Sequence, residues 1–258
     1  MTASCLALDD TAVAGQGMDT YYGTETQDGL SGETAIGDLC ADAARWASGA
    51  DIAILCSGDI GGNLIGGDIT YGDCKRVFYE DKALAVVEVT PAQLKDILET
   101  GVSHMTLSEE EMIDREASAW GGFPQISGFE FSYDVAAMVG NRVHEIRMDG
   151  VVLDLTDAST LLKLCATAEM LSGGWEYRDM GGGGEVGMAL SEALFHYIEA
   201  QETVTPPAEL QRIIPRGSKD DSLWNNLKVT PLLLVIAILV FAGGRKWRYK
   251  QYHDFNRF

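Results

Sequence analysis

Basic residues are scarce in this 258-residue chain: 19 Lys and Arg stand against 39 Asp and Glu, a formal charge of −20. A nucleic-acid binder neutralises phosphates with clustered Lys and Arg, so that balance excludes DNA and RNA as partners. Histidine is scarcer still. His104, His144, His196 and His253 are isolated, with no His-x-His, Asp-x-His or Asn-His-Glu run from which a dimetal centre is assembled. The five cysteines, Cys5, Cys40, Cys56, Cys74 and Cys165, are odd in number, widely spaced and without a Cys-x-x-Cys pair, so they support neither a zinc site nor a disulfide framework. Cys40, Cys56 and Cys165 lie in apolar stretches and read as small core residues. No internal repeat recurs at a fixed period, and residues 1–10 show neither the basic flank nor the apolar stretch of an export signal.

What is present is an ordinary globular composition, 46% hydrophobic and 22% charged, which can bury a core large enough to offset chain entropy. One uncharged apolar run stands apart at residues 229–244 and has no helical face periodicity, so it reads as a membrane span. It is just short of the roughly 17 to 25 residues usual for a span. Lys228 and Arg245 can snorkel, and Trp224 and Trp247 can sit at the two interfaces. Beyond it Arg245, Lys246, Arg248, Lys250 and Arg257 against Asp254 give the tail +4 and leave −24 for residues 1–244. The positive-inside tendency then predicts a single-pass cell-membrane protein with the body extracellular and the C-terminus cytoplasmic.

Along the body, Ile36, Leu39, Cys40, Ala43, Ala44 and Ala47 fall on one face of a helix, and Asp51 to Cys56 reads as a short buried strand. A glycine-rich turn follows from Ser57 to Gly67; Asp59 and Asp68 would repel an anion, so it reads as a tight turn rather than a phosphate cradle. A strand over 83–89 leads into a helix opened by Thr90 and Pro91. The acidic stretch 103–118 reads as an exposed insertion, with Glu109, Glu110, Glu111 and Asp114 on a solvated face. Strands follow around Phe129, Phe131 and Tyr133 and over 143–148, the latter turning through Asp149 and Gly150 in a type I′ hairpin. A strand over 161–166, a loop over 172–187, a helix from Leu190 and a last strand at Arg212 to Ile214 complete the body. The expected organisation is a loose lead-in over 1–30, a domain over 31–215, a linker over 216–228, a transmembrane helix over 229–244 and a basic tail over 245–258.

The motifs Gly32-Glu-Thr-Ala-Ile-Gly-Asp-Leu-Cys-Ala-Asp-Ala43, Ile54-Leu-Cys-Ser-Gly-Asp-Ile60, Gly67-Asp-Ile-Thr-Tyr-Gly-Asp73, Val87-Glu-Val-Thr-Pro-Ala-Gln-Leu94, Gly122-Phe-Pro-Gln-Ile-Ser-Gly-Phe129 and Leu171-Ser-Gly-Gly174 occur in an order that resembles the C-terminal domain of the 5′-nucleotidase family. That resemblance implies an α+β fold, mixed sheets with helices packed outside, whose role in the full enzyme is to grip the nucleoside. It assigns catalysis to an N-terminal metallophosphoesterase domain with two metal ions. This chain shows no such domain, so the expectation is a chain inactive alone and without cofactor of its own. Divalent metals would enter only with a phosphoesterase supplied upstream or on a separate partner chain.

Position by position the chain departs from the family pattern. The Asn and Arg of the family's glycine loop stand at Cys56 and Gly61, with Asp59 between them, and a further family arginine aligns near Leu30. The two rings that sandwich the base align with Glu80 and Glu169. Each lost stack is worth about 1–3 kcal/mol, so nucleoside affinity should fall by several orders of magnitude unless neighbours substitute. Phe78, Tyr79 and Trp175 are the substitutes at hand, and a one-residue slip in the ungapped alignment brings Tyr79 into the stacking role.

Overall fold

In each of three places a strand hands the chain to a helix through a threonine, and these junctions set the frame of the molecule. The computed structural model describes residues 10–17, 29–181 and 183–217. After β1 (Val13–Gly17), helix α1 (Ala35–Ser48) starts where Thr34 accepts a hydrogen bond from the Gly37 amide and stops at Gly49, whose φ of 62° suits a residue without Cβ. β2 (Ile52–Cys56) is followed by a 3-10 turn at Ser57–Asp59, then β3 (Gly67–Thr70) and α2 (Tyr71–Arg76), which Thr70 and Asp73 close with a reciprocal capping box. β4 (Ala83–Val89) meets α3 (Pro91–Gly101) through the same device at Thr90 and Gln93, with Pro91 in the first turn.

The chain continues through α4 (Arg115–Ser118), β5 (Pro124–Ser127), β6 (Glu130–Asp134), β7 (Val143–Met148) and β8 (Val151–Val152). Asp149 and Gly150 both have positive φ, 49° and 77°, the signature of the predicted type I′ turn between β7 and β8. β9 (Leu162–Thr167) passes into α5 (Ala168–Leu171), capped by Thr167, and β10 (Gly184–Ala189), α6 (Leu190–Gln201), β11 (Thr203–Val204) and β12 (Ile213–Arg216) follow.

A five-stranded mixed sheet, β10-β4-β9-β2-β5, divides the core. Along β2, Ala53 and Leu55 join the cluster under α1 and α6, while Ile52, Ile54 and Cys56 join the cluster beneath α3 and the four-stranded sheet β12-β6-β7-β8. Both faces are therefore covered, which is why β2 reads as a continuous apolar run. The α+β class with mixed sheets and outside helices is as expected. The cysteines described, Cys40, Cys56, Cys74 and Cys165, are all free and buried, and burial lifts their thiol pKa values, that of Cys165 to about 11.

Two segments read as irregular are strands in the structure, β3 and α2 were not foreseen, and Met105 and Ser118 are buried within the stretch read as exposed. Residues 13–17, within the stretch read as a loose lead-in, form β1, which pairs antiparallel with β3 and parallel with β11. A strand alternating with Gly15 and Gly17 carries almost no apolar pattern, and a Cβ at Gly15 would meet the Glu202 carbonyl at 2.6 Å. Likewise β10 occupies part of the predicted loop 172–187; it holds Gly184 and Gly187 and is legible only through its pairing with β4. The predicted transmembrane helix, the tail and linker residues 218–228 lie outside the described residues. Among the described residues no helix is long and apolar enough to cross a membrane.

Strand β12 is fastened to α1 by a charged clasp. Arg212 donates through both terminal nitrogens to Asp42, at 2.8 and 2.9 Å, and to the Ile126 carbonyl at 2.8 Å. The Glu33 carboxylate accepts from the Arg212 and Ile213 amides. Asp38, 3% exposed, stands 3.6 Å from the Arg212 Nε, and its Oδ1 finds no hydrogen-bond donor. Burial and the neighbouring Glu33 charge push its pKa up to about 8 against the opposing pull of Arg212.

Candidate functional site

The glycine turn at the C-terminal end of β2 is pinned from both sides by main-chain hydrogen bonds. Ser57 N and Gly58 N donate to the carbonyls of Phe123 and Gly121, at 2.9 and 2.7 Å, while Gly61 N and Gly62 N share the Val77 carbonyl. The buried Gln125 amide donates to Ser57 Oγ and the Gly32 carbonyl and accepts from Thr34 N, tying the turn to the start of α1. The turn is therefore a fixed platform.

Two rings lie on that platform. A Cβ at Gly61 would come within 2.4 Å of the Tyr79 ring, and one at Gly58 or Gly121 within 2.6 or 2.3 Å of the Trp175 indole. Glycine at these places is what lets the rings close onto the backbone. Tyr79 is 71% exposed, leaving much of its ring free for stacking. Trp175 is held in the left-handed region at φ 55°, and Glu176 follows at φ 63°. A non-glycine residue in this region costs on the order of 1–3 kcal/mol, and such strain concentrates at functional sites.

Asp59 links the turn to the indole. Only 2% exposed, it accepts through Oδ1 from Trp175 Nε1 at 3.1 Å and from Lys82 Nζ at 2.8 Å; its buried Oδ2 has no partner. Lys82 also reaches Glu169 at 2.5 Å and stands 5.9 Å from the centroid of the Trp175 ring. Burial disfavours the ammonium, but its hydrogen bonds to Asp59 and Glu169 outweigh that and raise the Lys82 pKa. The Lys82 segment is held in turn by α6: Asp81 accepts from the Ser191 amide and hydroxyl, and the Lys82 carbonyl accepts from Leu190 N. On the far side of Trp175, Glu176 meets His104 Nε2 at 3.2 Å, and His104 stacks on Trp120.

Of the residues singled out from the sequence, the structure brings Asp59, Gly61, Tyr79, Glu169 and Trp175 to one place. Phe78 does not belong to it, packing in the core beneath α6 with its chain bridged to Ile60; Cys56 is wholly buried in the cluster under α3, its thiol close enough to Asp59, Lys82 and Glu169 to feel their charges. Glu80 is exposed on the turn before β4. Lys82, Gly58 and Gly121 were missed. Lys82 is the one cation between Arg76 and Lys95, and that isolation in an acidic stretch was the signal available. A cavity of about 880 Å³ lined by Arg45, Asp51, Gly128 and Arg212 lies at the opposite, N-terminal end of β2, away from this cluster.

The family described as 5′-nucleotidase, C-terminal domain, matches residues 13–174. The chain belongs to that family. This 5′-nucleotidase C-terminal domain is 32% identical over 121 residues to the trifunctional nucleotide phosphoesterase protein YfkN of Bacillus subtilis (strain 168), a match covering 45% of this chain and 8% of that protein. Among solved structures it resembles the 5′-nucleotidase precursor from Thermus thermophilus (TM-score 0.67, 22% identity, 79% of this chain and 39% of that one). It also resembles the NAD nucleotidase of Haemophilus influenzae (TM-score 0.64, 12% identity, 80% and 39%). The domain thus spans about two fifths of each of these solved chains.

Proposed function

We propose that this chain is a nucleoside-recognition lobe derived from nucleotide phosphohydrolases, tethered to the membrane by residues 229–244 with its body outside the cell and without phosphoester-cleaving chemistry of its own. In this reading cleavage belongs to a metallophosphoesterase unit with its divalent ions, encoded upstream or on another chain. The observation that carries it is the pair of rings seated on the glycine turn, Tyr79 over Gly61 and Trp175 over Gly58 and Gly121. They offer aromatic surface beside a turn whose family counterpart holds a nucleoside. The family match and the nucleotide-hydrolysing names of its relatives support the same reading. Among the described residues no group of three His, Cys, Asp or Glu side chains is placed to hold a metal ion.

Calorimetric titration of the purified chain with adenosine tests the lobe. Saturable binding is expected, weakened roughly 5- to 150-fold by Tyr79→Ala, the equivalent of about 1–3 kcal/mol for one lost stack. Gly61→Ala, whose methyl group displaces the Tyr79 ring, should weaken binding in the same direction without removing an aromatic group. Release of phosphate from AMP by the purified chain alone would refute the non-catalytic part of the proposal.

A second reading is a surface interaction module that no longer grips nucleosides. It is favoured by Glu80 and Glu169 standing where the family has rings and by Gly61 standing where it has arginine. Absence of adenosine binding at millimolar concentration, with unchanged behaviour in Tyr79→Ala, would select it.

A further inference from the structure

The charges around the glycine turn specify the ligand more narrowly than the fold does. Three carboxylates stand close to Trp175: Asp59 bonded to its indole, Glu169 through Lys82, and Glu176 adjoining in the chain. Glu80 and Asp81 precede Lys82, and Arg178 further on is followed at once by Asp179. Lys82 is the cation inside this group, and it is already engaged, with two of its three N–H donors given to Asp59 and Glu169. A phosphate entering beside Trp175 would have to take Lys82 from two carboxylates while approaching both of them. Charge-assisted recognition of a phosphate calls instead for a free fork of donors, as an arginine supplies.

The same groups suit an uncharged partner. Asp59 Oδ2 is buried and so closed to a ligand, and the acceptor of the group that faces outward is Glu169. Glu169 is half-exposed, at 51%, with a second oxygen not used by Lys82, and Lys82 has a third N–H to give. Acceptor and donor therefore stand side by side and are joined through Asp59 to Tyr79, whose amide donates to the Asp59 carbonyl and whose ring is exposed. That is the complement of a planar heterocycle carrying both amine or hydroxyl donors and ring acceptors, without a charge.

Resting on the proposed recognition lobe, we infer that the site selects neutral nucleosides over nucleoside monophosphates. Its ligand is then the product class of phosphomonoester hydrolysis rather than the substrate class. Lys82 is a specificity-determining residue here: clamped between Asp59 and Glu169, it holds a donor toward the heterocycle and withholds a counter-charge from a phosphate.

The test is calorimetry of the full chain with adenosine and with AMP at low and at moderate salt. Adenosine should bind at least about tenfold more tightly than AMP at low salt, and the gap should narrow as salt screens the carboxylates. Glu169→Gln, which removes one charge and frees part of Lys82, should raise the AMP-to-adenosine affinity ratio roughly threefold or more. AMP binding as tightly as adenosine, or more tightly, would overturn the inference while leaving the recognition lobe standing. Failure of both ligands to bind would overturn the lobe and this selectivity together. An unchanged ratio in Glu169→Gln alongside a clear adenosine preference would remove Lys82 and Glu169 as its source.

Discussion

Replacing Asp38 with Asn should make the protein more stable at pH 8.5 and flatten the dependence of its stability on pH. The Asp38 carboxyl has a pKa of about 8 in the folded chain against 3.8 ordinarily, because it is buried and faces Glu33. The folded state therefore keeps a proton that the unfolded state has released between about pH 4 and pH 8. Stability contributed by this group is fully present below pH 4, declines as pH rises through that window, and levels off above about pH 8. The asparagine has no proton to lose, so the variant should lead the parent by on the order of a few kcal/mol at pH 8.5 and by little at pH 4. For a domain of this size that corresponds to a melting-temperature difference of several degrees. Asp42→Asn should act in the opposite direction, since Asp42 holds both terminal nitrogens of Arg212. Parallel pH profiles for parent and Asp38→Asn would show that the clasp is not titrating.

The largest single loss of stability should come from Glu99→Ala. Glu99 is buried, and its two oxygens accept from the amides of Arg142 and Val143 at 2.9 and 2.8 Å. Arg142, buried beside it, donates to the carbonyls of Val102 and Ser103 past the end of α3 and to that of Ala137. Burial lowers the Arg142 pKa while the Glu99 charge opposes that shift. Removing the carboxylate leaves two amides without acceptors and takes away one of the negative charges, beside that of Asp134, that favour the buried guanidinium, a loss of about 3–5 kcal/mol. Thermal unfolding should shift down by roughly 10 °C. The double variant Glu99→Ala with Arg142→Met should recover part of the loss, because the buried cation that Glu99 helped to compensate is gone. A double variant less stable than Glu99→Ala alone would contradict that account.

The sequence carried the local part of this fold well. Thr90, Pro91 and Gln93 announce a helix start because the capping box needs only neighbours within one turn. Asp149 and Gly150 announce the hairpin for the same reason. β1 and β10 were hidden because their glycines make no apolar alternation; their places are decided by partners distant in the chain, β3, β11 and β4. The site divides the same way. Glu80 and Glu169 can be read as departures from a motif, and Tyr79 and Trp175 as rings nearby. That Asp59, Lys82 and Trp175 meet depends on the path of the chain between an aspartate and an indole 116 positions apart. The proposed membrane span at 229–244 lies outside the described residues.

The four-stranded sheet ends on β12 at one side and on β8 at the other. β12 carries Pro215 opposite Tyr133, a residue with no amide hydrogen to offer a newcomer, and β8 is two residues long. Neither rim of this sheet gives a neighbouring copy a continuous ladder to extend, which disfavours edge-to-edge stacking through it.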